Sequence, residues 1–166
     1  METIIIDAYN LMHKVAELKI LLQQSQDVCV DTMVSKLKSH YYGKGAKCVL
    51  VFDGFGKNKH DGNIDVKFAK TGVGPDYGHA DNLIKHLIEK SRNPRLMKVV
   101  SSDREVVSFA KECGSRILSS ESFWGEVKER RIDRIEAQRE SKEKPEVVTR
   151  GEFEFLLKEF TKNKKS

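Results

Sequence analysis

Short apolar runs recur along the chain and predict the strands of a buried sheet. Three of them cover residues 4–6, 49–52 and 97–100, and only the last is interrupted, by Lys98. Apolar runs without polar alternation are typical of strands covered on both faces, as in parallel sheets. The alternating segment 64–68 predicts a further strand with one covered face, and residues 116–118 predict a short last strand.

Between these strands, apolar residues recur at helical spacing. The pattern predicts helices over residues 13–24, after Ser25, over 79–90, around 106–110 and over 121–140. A regular succession of strand and helix favours right-handed crossovers between parallel strands. We therefore expect an α/β fold with a mostly parallel central sheet of about five strands and helices on both faces.

The 166 residues suit one domain with a sizeable core and a small appendage. We assign residues 1–140 to the α/β domain. Residues 142–145 (Lys-Glu-Lys-Pro) break the preceding helix, and 149–152 (Thr-Arg-Gly-Glu) have the spacing of a capping box. Residues 141–166 are therefore predicted to form a linker and a short amphipathic helix with a basic tail.

Composition narrows the classes of function. Thirty basic against 25 acidic residues give a net charge of +5, which suits a polyanionic partner. No apolar run reaches the length of a membrane span, and early acidic residues exclude a signal peptide, so we expect a cytoplasmic protein without a membrane partner. Three scattered cysteines predict neither a disulfide framework nor a zinc site. Residues 72–74 (Gly-Val-Gly) lack a complete dinucleotide fingerprint, so no nucleotide cofactor is expected.

Aspartates follow three of the predicted strands. Asp7 and Asp53 directly follow an apolar run, and Asp103 follows the third run after two serines. Asp81 lies in the first turn of the predicted helix 79–90. The carboxyl ends of parallel strands border the ligand crevice of an open α/β sheet. We therefore expect these carboxylates to meet at one edge.

Clustered carboxylates repel one another, so they either retain protons or bind a cation. Hard oxygen ligands suit Mg²⁺ or Mn²⁺, which can orient a phosphodiester and activate water for its hydrolysis. Asn10, three residues after Asp7, is placed to orient a ligand or that water, and Ser101 or Ser102 is placed to do the same for Asp103.

Other side chains near the predicted edge suit RNA. Tyr9 is a candidate for stacking on a base, and Lys57, Lys59, Lys70 and Arg104 are candidates for phosphate contacts. A tyrosine that covers the sheet edge and ordinary solvated basic side chains are the alternatives.

Four ordered motifs carry a resemblance to a known family: residues 6–13 (Ile-Asp-Ala-Tyr-Asn-Leu-Met-His), 51–54 (Val-Phe-Asp-Gly), 80–84 (Ala-Asp-Asn-Leu-Ile) and 99–103 (Val-Val-Ser-Ser-Asp). Together they resemble the bacterial YacP-like NYN-domain ribonucleases, relatives of the PIN-domain nucleases. The resemblance implies a PIN/NYN-like fold and metal-dependent endonucleolytic cleavage of RNA. It implies Asp7, Asp81 and Asp103 as metal ligands, with Asn10 assisting. The chain departs from the family pattern at Ala8, where glycine is usual, and in the glycine-rich loop around Asp76.

Some members of that family act on ribosome-associated messenger RNA, which makes messenger RNA a candidate substrate and the ribosome a candidate partner. The leading hypothesis is hydrolysis of single-stranded RNA by water, with Asp53 as an outer member of the metal site. Asp53 alone could merely shape its loop, and Asp103 could merely cap a helix. A phosphatase with an aspartyl nucleophile would need a second aspartate where the chain has Tyr9. A non-catalytic RNA- or ribosome-binding adaptor is the remaining alternative.

Overall fold

The computed structural model describes residues 1–69 and 78–143, and for residues 130–134 and 140–143 it describes the backbone course only. The order of strands and helices in this part of the chain follows the predicted α/β succession. The elements are β1 (Glu2–Asp7), α1 (Ala8–Lys14), α2 (Ala16–Gln24), α3 (Gln26–Tyr41), β2 (Ala46–Phe52), β3 (Lys59–Asp61), β4 (Ile64–Phe68), α4 (Ala80–Glu89), β5 (Met97–Val100), α5 (Arg104–Glu112), β6 (Arg116–Leu118) and α6 (Ser120–Glu143).

The strands form one sheet in the order β3-β4-β2-β1-β5-β6, in which only β3 is antiparallel to its neighbour. The predicted α/β fold with a mostly parallel sheet is confirmed. The sheet has six described strands rather than about five, because β3 lies in a segment for which no strand was predicted. Its three residues, Lys59–Asp61, are all polar and exposed, so no apolar run marks them.

The sheet reverses its winding direction at β1. β2 and β4 extend it on one side of β1, and β5 and β6 extend it on the other. Asp7, the last residue of β1, is in register with Val51, while Ile6 is in register with Val100. In an open α/β sheet the carboxyl ends of the strands at such a switch point border a ligand crevice.

Two apolar cores cover the two faces of the sheet. Ile4 and Ile6 join the core under α1, α2, α3 and the first turns of α6, whereas Ile5 joins the core under α4 and α5. This division follows from the alternation of side chains along a strand. By the same alternation, Asp7 belongs to the α4 and α5 face. The prediction of helices on both faces is therefore confirmed.

The predicted helix 13–24 is wrong in its start and its continuity. α1 begins at Ala8, directly after Asp7, and the extended backbone of Val15 (φ −98°, ψ 117°) separates it from α2. Val15 is buried in the core, so its apolar character fitted the helical pattern although its backbone is not helical. The early start matters because it places Asp7 at a helix N-terminus.

The last described helix, α6, continues to Glu143. Contacts within the chain divide it into two units, residues 1–131 and residues 132–166. The predicted amphipathic helix and basic tail lie outside the described residues, as does the glycine-rich loop with Lys70 and Asp76. No helix in the described residues is long and apolar enough to cross a membrane.

Glu17 on α2 fastens the first turns of α6 to the domain. Its carboxylate accepts a hydrogen bond from Nε1 of the buried Trp124 at 2.6 Å and pairs with the Lys36 ammonium at 2.8 Å. Lys36 also lies over the Trp124 ring, 5.4 Å from its centroid. Burial alone would raise the pKa of Glu17, but the hydrogen bonds from Lys36 and Trp124 lower it.

Glu17→Ala is expected to lower the free energy of unfolding by about 2 kcal/mol, because it leaves a buried indole N–H without its acceptor. Urea denaturation at neutral pH measures the change. Glu17→Gln is the matched control, since its amide oxygen can still accept from Trp124, and it should retain most of the stability. Equal stability of the alanine variant and the parent protein would contradict this role for Glu17.

Candidate functional site

Asp7 lies at the end of β1 and is 6% exposed. Its Oδ1 accepts a hydrogen bond from the Asn10 backbone N–H at 3.1 Å and so caps α1, while its Oδ2 accepts one from Ser101 Oγ at 3.2 Å. Burial raises the pKa of Asp7 to about 6, against the lowering effect of these two hydrogen bonds. The negative charges of Asp81 and Asp53 raise it further.

Asp53 connects the end of β2 to the start of α4. Its exposed carboxylate accepts a hydrogen bond from the backbone N–H of Ala80, the first residue of α4, at 2.7 Å. A carboxylate at a helix N-terminus satisfies a backbone donor that has no partner within the helix. Asp53 therefore shapes its surroundings, as the simpler interpretation of the sequence proposed, and it also holds the neighbouring Asp81 beside the sheet edge.

Asp81 is half-buried in the first turn of α4. Burial raises its pKa, and the charges of Asp103, Asp53 and Glu105 raise it further. The Lys85 ammonium, which is paired with Glu105, acts in the opposite direction. Asp81 therefore lies within the electrostatic influence of two of the other predicted ligands.

Asp103 is the N-cap of α5. Its Oδ1 accepts from the backbone N–H groups of Glu105 at 2.9 Å and Val106 at 3.2 Å. Its own N–H donates to Ser101 Oγ at 3.1 Å, and the same hydroxyl donates to Asp7. Ser101 thus connects the two carboxylate-bearing segments, whereas the sequence had predicted it only as an aid to Asp103.

Asn10 holds three segments together through its side-chain oxygen. This oxygen accepts from the Ser102 backbone N–H at 2.9 Å and from the Ser120 hydroxyl at 2.7 Å. Ser102 Oγ in turn donates to Glu121 at 3.2 Å. Ser120 and Glu121 were not predicted, since the sequence marks them only as the start of a helix. With its oxygen engaged, Asn10 can act on a ligand only through its NH₂ group.

The predicted RNA-contacting residues are dispersed. The Tyr9 ring packs edge-on against Phe52, with centroids 5.9 Å apart, and parallel to His13 at 6.3 Å. It is half-buried against the core on the α1 to α3 face, opposite the face to which Asp7 belongs. Lys57, Lys59 and Arg104 are exposed, and Lys70 lies outside the described residues.

The donor set of the four aspartates fits a hard, hydrated cation. All of its oxygens are carboxylate oxygens, and the negative charges that help to raise the pKa values of Asp7 and Asp81 are ones that a cation would offset. Within residues 1–69 and 78–143, no group of three or more His, Cys, Asp or Glu side chains is placed to hold a metal ion by itself. Mg²⁺ usually keeps several waters and takes one or two carboxylates together with substrate phosphate. The residues therefore suit a cation held partly by water and substrate.

Comparisons with known proteins agree on one family and fold. A model described as the YacP-like NYN domain matches residues 4–162. The crystal structure of Rae1 (YacP) from Bacillus subtilis is similar over 100% of this chain and 96% of that chain, with a TM-score of 0.61 and 23% identity. A point variant of that protein gives a TM-score of 0.64 over 89% and 88% of the two chains, at 22% identity. A search of curated proteins found no match.

Proposed function

The chain belongs to the family of YacP-like NYN domains, and we propose that it is a metal-dependent endoribonuclease that hydrolyses single-stranded RNA. The observation that carries the proposal is that Asp7 and Asp81, on separate segments at the switch point of the sheet, have pKa values raised by burial and by the charges of neighbouring aspartates. Perturbed carboxylates in such a crevice are typical of functional sites.

In this proposal Asp7, Asp81 and Asp103 hold Mg²⁺ or Mn²⁺ together with water and substrate phosphate, and Asp53 is an outer member of the site. When bound, the cation supplies charge neutralisation at the phosphate and lowers the pKa of water. Burial of Asp7 supports this assignment, because an anion held out of water is stabilised by a nearby cation.

The side chains around the carboxylates would position the reacting groups. Ser101 keeps one oxygen of Asp7 in place, and the NH₂ group of Asn10 would donate to a phosphate oxygen or to the attacking water. Water attacks phosphorus, the bond from phosphorus to the leaving ribose oxygen breaks, and a proton is transferred to that oxygen. No covalent bond to the protein is formed in this reaction.

RNA as the substrate class is supported by the net charge of +5 and by exposed basic residues on segments that flank the site. Lys57 and Lys59 follow Asp53 in the chain, and Arg104 follows Asp103. Basic side chains bind phosphates without regard to sequence. Messenger RNA on the ribosome, in the cytoplasm, is the cellular substrate that we propose.

Purified protein is expected to cleave labelled single-stranded RNA in Mg²⁺ or Mn²⁺ and to lose more than about a hundredfold of this activity in EDTA, because charge neutralisation at the phosphate contributes several kcal/mol. Gel analysis of the products measures the rate, and restoring the metal should restore cleavage. Cleavage that persists in EDTA would contradict the proposal. RNA binding without cleavage in either metal would favour the non-catalytic adaptor.

A further inference from the structure

A pocket of about 400 Å³ lies beside the loop that follows Asp53. Its volume is within the range of pockets that bind small ligands. It is formed between the start of α3, the loop and the end of β4. The lining residues that matter here are Ser25, Asp27, Phe55, Lys57, Lys59 and Phe68.

Phe55 is the unusual member of this pocket, because its aromatic side chain is 81% exposed. It therefore contributes little to the apolar core, and most of its side chain is accessible from solvent. It lies two residues after Asp53, so at most about 7 Å of extended backbone separates the two. The pocket itself opens on the α1 to α3 face.

The floor of the pocket is preformed. Phe68 stacks on Phe52 with ring centroids 5.2 Å apart, and its backbone N–H donates to Asn58 Oδ1 at 2.9 Å. Gly56 lies so close to the Phe68 ring that a Cβ at this position would be 2.5 Å from ring atoms. These contacts hold the loop against β4, and Phe55, Lys57 and Lys59 line the same pocket.

We propose that this pocket binds an unpaired base of the RNA substrate, an inference that rests on the proposed function. Phe55 stacks on the base, and Lys57 and Lys59 contact the flanking phosphates. Ser25 and Asp27 offer hydrogen-bonding groups to the edge of the base. Aromatic faces and basic side chains on one surface are the combination that binds single-stranded RNA, whose bases are free to stack.

Binding of a labelled twelve-nucleotide oligouridylate in EDTA tests the proposal, because cleavage is prevented there. Phe55→Ala is expected to weaken binding about tenfold, the loss of one stacked base, and Phe55→Trp should restore it. Neither change should affect an abasic chain with the same number of phosphates. Tyr42→Ala is the matched control. Tyr42 is 76% exposed, but it precedes the amino end of β2, whereas Phe55 follows the carboxyl end of this strand.

Lys57→Gln and Lys59→Gln should weaken binding of both chains and each reduce the salt dependence by about one phosphate contact. Equal affinity of the parent protein and Phe55→Ala for oligouridylate would overturn the proposal, as would an equal loss for the abasic chain. Cleavage of the same oligomer in Mg²⁺ distinguishes failure of the pocket assignment from failure of the proposed function. If either of these binding results is found and the parent protein still cleaves, only the pocket assignment fails. If the parent protein neither binds nor cleaves the oligomer, the proposed function fails as well.

Discussion

Asp81→Asn is expected to lower the rate of RNA cleavage about a thousandfold, because the loss of one carboxylate weakens cation-assisted stabilisation worth several kcal/mol. Asparagine keeps nearly the same shape but cannot offset the charge of a cation. Asp81 is half-buried, and its pKa is raised by burial and by neighbouring acids, so removal of its charge should not lower stability. The measurements are kcat/KM on labelled RNA in Mg²⁺ and the thermal midpoint.

Glu89→Gln is the matched control for this variant. Glu89 is exposed at the opposite end of α4, so the change removes a carboxylate from the same helix without altering the sheet edge. We expect the parent rate for this control. A parental rate for Asp81→Asn would exclude Asp81 from the reaction, whereas a large fall in its thermal midpoint would mean that the loss of activity reports on folding.

Asp7→Asn is expected to lower the rate of RNA cleavage about as much as Asp81→Asn does, and to raise the free energy of unfolding at neutral pH. The pKa of Asp7 is about 6 in the folded protein, mainly because of burial, against an ordinary value of 3.8. Between these values the folded protein retains a proton that the unfolded chain releases, so stability falls as pH rises from about 4 to about 6. At pH 7.5 the charged carboxylate of Asp7 lowers the free energy of unfolding by about 3 kcal/mol, and asparagine avoids this loss.

Urea denaturation in EDTA at pH 3.5 and pH 7.5 measures this effect. The advantage of Asp7→Asn should be present at pH 7.5 and nearly absent at pH 3.5, where Asp7 is mostly protonated in both states. Asp31→Asn, at an exposed position on α3, is the control and should show no such difference. Mg²⁺ should stabilise the parent protein more than the variant. A variant that is less stable than the parent at both pH values would contradict the assignment.

The strand pattern predicted the fold and the carboxylate edge because both depend on local signals. Apolar runs that lead into aspartate, directly or after two serines, place Asp7, Asp53 and Asp103 at or just after the carboxyl ends of parallel strands, whatever the details of packing. β3 was not predicted because its pairing with β4, and not any apolar pattern, makes it a strand. The break at Val15 was not predicted because a buried apolar residue fits a helical pattern whether or not its backbone is helical.

The contacts that position the site depend on residues far apart in the chain. Ser120 is 110 residues from Asn10, and Ser101 is 94 residues from Asp7, so no local signal reveals either hydrogen bond. The placement of Tyr9 follows from the missed start of α1. A helix that begins directly after Asp7 turns Tyr9 toward Phe52 on the other face of the sheet, away from the carboxylates.

The two outermost described strands, β3 and β6, are each only three residues long. β3 presents Lys59, His60 and Asp61 to solvent, and the exposed Arg116 begins β6 and pairs with Glu2. Short, charged edge strands offer the backbone of another molecule few hydrogen-bonding groups, and pairing with them would bring charged side chains together. The sheet is thereby protected against strand addition by a second molecule, so its apolar interior does not make the protein prone to aggregation along its edges.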